Sequence, residues 1–118
     1  MDKEELKNRT KSFAHRCVKL ALSLPDTILG RHLQSQLTRS STSVAANYRA
    51  ACLGQSKASF TAKLSIVIEE ADESLFWLEF ILEENLILKE CIDALLKEAG
   101  ELTAIFIASR KTIQTNNR

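Results

Sequence analysis

Apolar residues return every three or four positions through most of this chain, and the interruptions of that rhythm are few. Leu6, Phe13, Cys17, Leu20, Ala21 and Leu24 fall on one face of a first helix. Leu33, Leu37, Val44, Tyr48 and Ala51 form the stripe of a second. Phe60, Leu64, Val67, Ala71, Leu75, Leu78 and Leu82 mark a third, and Ile92, Leu95, Leu96, Ala99, Leu102, Phe106 and Ile113 a fourth. Breakers stand at Leu24-Pro25-Asp26, Leu53-Gly54-Gln55-Ser56 and Asn85-Leu86-Ile87. The pattern predicts helices over about residues 3–24, 27–53, 57–84 and 89–113, each roughly 33 to 42 Å long. Connections this short force neighbouring helices to double back. The expected fold is therefore all-α, an up-and-down antiparallel four-helix bundle, in one domain spanning residues 1–118. Pro25 stops the first helix and Asp26 is expected to cap the second; Gly54 should supply a left-handed stop, Ser56 the next cap and Asn85 the end of the third helix. The tail Thr115-Asn116-Asn117-Arg118 is expected to fray.

Winding the third helix at about 100° per residue leaves more apolar surface than one core can use. Ser65, Glu69, Asp72, Glu79 and Glu83 make a solvent face interrupted by Phe76. A further stripe carries Ile66, Glu70, Glu73, Trp77 and Phe80, aromatic anchors beside carboxylates, which is the composition of an interface. The second helix has the converse pattern: Gln36, Ser40, Ser43 and Asn47 lie within about 60° of one another, a polar seam beside the apolar stripe. Arg39 and Arg49 are natural partners for Glu70 and Glu73, either within one chain or between copies.

Charge sharpens this picture. The formal net charge is +1, yet residues 1–68 hold 11 basic and 4 acidic side chains, and residues 69–118 hold 5 basic and 11 acidic. Between Thr27 and Ile68 there is no acid at all. Such polarity favours complementary packing, between the two halves of the chain or between copies of it. At 45% hydrophobic and 26% charged, with three Gly and one Pro, the composition is that of a water-soluble helical domain. No apolar run approaches ~18 residues, so a membrane partner is not expected. The three scattered cysteines, Cys17, Cys52 and Cys91, make neither a disulfide framework nor a metal motif, and a cytoplasmic location is expected.

Catalytic chemistry finds little purchase. His15 and His32 sit on different helices without an acid at helical spacing, and Glu70 and Glu73 lack the Glu-x-x-His pairs of a di-iron bundle. No glycine loop suits a phosphate. The reading is therefore of a non-enzymatic scaffold with no cofactor, metal or small-molecule substrate. Its alternative is an RNA-binding accessory protein, with Lys7, Lys11, Arg16 and Lys19 of the first helix forming a basic surface on an oligomer.

One ordered set of segments is specific. The run from Gln36 through Arg39, Ser40, Ser43 and Asn47-Tyr48-Arg49 comes first, then Ser56, Phe60 and Lys63-Leu64-Ser65-Ile66, then Glu70-Ala71-Asp72-Glu73-Ser74-Leu75-Phe76-Trp77-Leu78. Over nearly its whole length the chain resembles the bacterial four-helix-bundle family named after proteins encoded in intervening sequences of 23S ribosomal RNA genes. The resemblance implies a ring-like homopentamer with no established enzymatic activity. It also implies likeness in fold to the accessory proteins of diversity-generating retroelements, whose basic pentamers bind nucleic acid and a reverse transcriptase. The family's polar signature maps onto Gln36, Arg39, Ser40, Ser43, Asn47, Arg49, Glu70, Glu73 and Trp77. Many members carry Glu after the Asn-Tyr-Arg run, where this chain has Ala50, and that leaves the pairing of Arg49 open.

Overall fold

Helices start in this chain where a short polar side chain can hold the first free amides. In the computed structural model, which describes residues 1–116, Asp2 accepts from the Glu5 amide at 2.8 Å and opens α1 (Lys3–Leu22). Thr27 Oγ1 accepts from the Gly30 amide at 2.9 Å and opens α2 (Ile28–Cys52). Ser56 Oγ accepts from the Ser59 amide at 3.0 Å and opens α3 (Lys57–Glu83); α4 spans Lys89–Asn116. Each cap satisfies one of the four amides that a helix start leaves without an internal partner.

Two expected helix boundaries are corrected. Asp26 is not the cap of α2: Thr27, one residue on, has the extended backbone a cap requires, and the exposed Asp26 carboxylate pairs with Arg31 at 2.7 Å instead. Gly54 is not a left-handed stop: α2 ends on right-handed Leu53, with the amides of Leu53 and Gly54 folding back onto the carbonyls of Ala50 and Ala51. The left-handed stop belongs to Asn85, at φ 57°. There the Leu86 amide reaches the Ile81 carbonyl at 3.3 Å and the Asn85 amide reaches that of Leu82 at 3.0 Å, the double closure that terminates α3. The helix α4 continues through Thr115 and Asn116, where the sequence predicts fraying; the rest of that expectation, at residues 117–118, lies outside the described residues.

The connections are four or five residues long, so the four helices run up and down and pack in cyclic order, α1 on α2, α2 on α3, α3 on α4 and α4 back on α1. The molecule measures 49 × 20 × 20 Å, little longer than its longest helix. Phe13, Leu33, Leu37, Val44, Leu64, Val67, Leu78, Ile81, Ile92, Leu102 and Phe106 are sealed within it. On α3 the buried seam is Leu64, Val67, Ala71, Ser74, Leu78 and Ile81, alternating steps of three and four. That is the 3.5-residue period of helices that wrap around one another, so Leu75 and Leu82, expected in the core, ride at its margin instead. Gly30 is buried against the first connection: a Cβ there would lie 1.9 Å from the Pro25 carbonyl oxygen, so only glycine lets α2 begin this close to the Pro25 bend.

Candidate interaction surface

The outer groove between α2 and α3 gathers most of the polar residues singled out in the sequence. Arg39, one turn after Gln36 on α2, reaches across to two carboxylates one turn apart on α3. Its guanidinium donates to Glu70 Oε2 at 3.1 Å and pairs more closely still with Glu73. It also donates to Gln36 Oε1 at 3.4 Å. Within this chain Arg39 thus meets both carboxylates. Glu73 is in turn the acceptor for the Trp77 indole N–H at 3.3 Å, one helical turn on. The two carboxylates respond in opposite directions. Burial dominates at Glu70 and raises its pKa, whereas the hydrogen bond from Arg39, reinforced by that from Trp77, holds Glu73 below the usual carboxylate range.

Beneath this surface Ser40 and Ser74 are fully buried and share a hydrogen bond, Ser74 Oγ to Ser40 Oγ at 3.1 Å, which ties α3 directly to α2. Ser43 and Asn47 pair along α2 itself, Asn47 Nδ2 donating to Ser43 Oγ at 2.8 Å. The seam is therefore three short arrangements rather than one continuous network.

Outward from it lies an aromatic cluster. Trp77 stands edge-on to Phe76, with centroids 4.9 Å apart, and to Phe80 at 6.5 Å; its other side meets the edge of His32 from α2 at 5.5 Å. Trp77 and Phe80 are partly covered by these contacts, while Phe76 is 50% exposed and Ile66, on the same side of α3, 38%. Exposed Glu69, Asp72, Glu79 and Glu83 flank them, and none forms an ion pair among the described residues.

Arg49 does not join the Arg39 cluster. It faces the other way, into the groove between α1 and α2, with Lys7, Lys11 and His15. The four basic residues read as one nucleic-acid surface are likewise divided: Lys7 and Lys11 line that groove, whereas Arg16 and Lys19 lie on the α4 side of α1, beside Leu20 and Cys91. At about 100° per residue, Arg16 stands about 140° from Lys11 and about 180° from Lys7, so the four do not make one stripe.

One ion-pair cluster is not anticipated in the sequence. Arg9 of α1 grips Glu98 of α4 with two parallel bonds of 2.7 Å and reaches Glu101 at 2.6 Å. This bidentate grip holds Glu98 below the usual carboxylate range and locks the first helix to the last. Its only trace in the sequence is the opposite charge of the two ends of the chain. Burial pushes the Cys17 thiol up to about 12, which leaves it inert at neutral pH.

Among the described residues no group of three or more His, Cys, Asp or Glu is placed to hold a metal ion, and no helix is long and apolar enough to cross a membrane. No curated protein matches the chain. Among solved structures it is similar to a protein of unknown function from the S23 ribosomal protein family of Bacteroides thetaiotaomicron. The two are 30% identical, superpose with a TM-score of 0.83, and match over 94% of this chain and 99% of that one. Neither that description nor the family's names a reaction. Residues 3–108 match the family described as 23S rRNA-intervening sequence protein, and the chain belongs to that family.

Proposed function

We propose that this protein is a non-enzymatic scaffold that assembles with copies of itself through the aromatic side of α3, as a homo-oligomer for which family resemblance suggests five subunits. The observation that carries the reading is the cluster of Phe76, Trp77 and Phe80 on the outside of the bundle, continued by exposed Ile66. Aromatic side chains dominate interface energetics, and a ring left half in water beside two others offers a ready anchor for a partner. Arg39, tied to Glu70 and Glu73, braces the same helix, so the anchors are presented on a rigid element. The three free thiols suit a reducing compartment, and the cytoplasm is the location they support. Light scattering coupled to size exclusion tests the reading: a mass several times that of the 13.2 kDa chain is expected at micromolar concentration, and a strict monomer would sink it.

RNA binding by the oligomer is the second reading, favoured by Lys7, Lys11 and Arg49 lining one groove. A gel shift with structured RNA should then weaken steeply between low and moderate salt, as phosphate contacts require. The absence of a shift at low salt would dismiss it.

A further inference from the structure

We infer that the groove between α1 and α2 of one copy is the seat for the Phe76-bearing ridge of α3 in a second copy of this chain, so that copies join head to tail. This rests on the self-association proposed above and adds to it the receiving surface.

The groove, about 610 Å³ in volume, is floored by small side chains, Ala14 from α1 with Ala45 and Ala46 from α2. Small residues leave room for a neighbouring ridge to approach closely. Its rim carries Lys7, Lys11 and Arg49 against a single acid, Glu4, which pairs with Lys7 at 3.0 Å. Lys11 and Arg49 have no ion pair among the described residues. The ridge is the complement in charge: a half-exposed phenyl ring flanked by Glu69, Asp72, Glu79 and Glu83, likewise without ion pairs among the described residues. Within a single subunit the two surfaces cannot meet, since α1 and α3 stand diagonally across the bundle with no packing between them. Between copies they can.

Charge also disfavours the simpler arrangement in which two copies bury the same ridge against each other. Four carboxylates from each α3 would then face their own counterparts, with repulsion unrelieved by any basic residue of the ridge. A groove-to-ridge contact uses two different surfaces of each copy and leaves one of each free at every step. Such contacts close into a ring when the rotation per subunit allows it.

Charge reversal separates the alternatives. One variant carries Lys11→Glu and Arg49→Glu in the groove; another carries Glu69→Lys, Asp72→Lys and Glu79→Lys on the ridge. Each alone should sediment at the mass of one chain, because both of its surfaces then have the same sign. Mixed, they should associate again, since the acidic groove of one accepts the basic ridge of the other. Recovery on mixing also proves that both variants are folded. A monomeric unsubstituted chain would bring down the self-association reading itself. An oligomeric unsubstituted chain whose groove variant stays oligomeric overturns the head-to-tail contact alone, and loss of RNA binding in that same variant would assign the groove to RNA instead. Failure of two separately monomeric variants to associate on mixing overturns it as well.

Discussion

At the scale of single residues, the most closely matched ion pair among the described residues joins two helices that are neighbours only because the bundle closes on itself. Arg9 and Glu98 are 89 positions apart, and their paired 2.7 Å bonds form only once α4 has returned beside α1. With side chains about one-quarter and one-seventh exposed, the pair is shielded enough to matter but wet enough to escape the full cost of charge burial. The folded-state pKa of Glu98 lies below its unfolded value, so its contribution is complete above the unfolded value and is lost as pH falls through the folded one. Glu73 behaves in the same sense; Glu70, whose pKa is raised by burial, acts oppositely and favours the folded state as it takes up a proton. Glu98→Gln should therefore cost roughly 1–2 kcal/mol at neutral pH and flatten the loss of stability on acidification below about pH 5. Urea unfolding of both proteins from pH 7 down to pH 3 reads this directly. Parallel curves for the two would mean that the Arg9 grip contributes nothing to acid sensitivity.

At the scale of helices, what is legible in the sequence follows from what each signal depends on. The four helices and their order come through because a repeat of three and four apolar positions survives any change of neighbours. Arg39 with Glu70 and Glu73 can be anticipated from an acid-free stretch that must meet an acidic helix, and Trp77 from its place off the core stripe. Ser74 is hidden because a count of apolar residues passes over a hydroxyl that is buried by virtue of Ser40 across the interface. The misplaced cap at Asp26 is of another kind: Asp and Thr are both good caps, and which of two neighbours takes the extended backbone shows only in the structure, where it is Thr27. Arg49 points away from the polar seam because two residues past Asn47 the helix has turned by about 200°. The stop at Asn85 is legible as a residue type, its left-handed backbone only in the structure. Asn85→Ala should cost about 1–2 kcal/mol, since a Cβ without a compensating amide is strained at φ 57°, while Asn85→Gly should be neutral or slightly stabilising. Thermal unfolding of the two variants side by side checks it, and equal melting temperatures would show that the turn relaxes at no cost.

At the scale of the whole molecule, the bundle leaves its aromatic side divided between two tasks that substitution can separate. Trp77 is held by its own chain, its indole N–H on Glu73 and its ring against His32, Phe76 and Phe80. From sequence alone it is the expected anchor, with Phe76 an interruption of a solvent face; in the fold Phe76 is the more exposed ring, and Trp77 is the platform under it. Removing the platform should harm both the subunit and its assembly, whereas removing the projecting ring should harm assembly alone. Phe76→Ala is expected to weaken self-association by about 2 kcal/mol per contact, roughly thirtyfold in the dissociation constant, with the unfolding midpoint of the dissociated chain unchanged. Trp77→Ala should destabilise that chain too, by roughly 1–3 kcal/mol for a half-buried ring. Sedimentation over a dilution series measures the first quantity, and denaturant unfolding below the dissociation range measures the second. If Phe76→Ala leaves assembly intact while Trp77→Ala abolishes it without affecting the isolated subunit, the roles are reversed and the anchor is the indole.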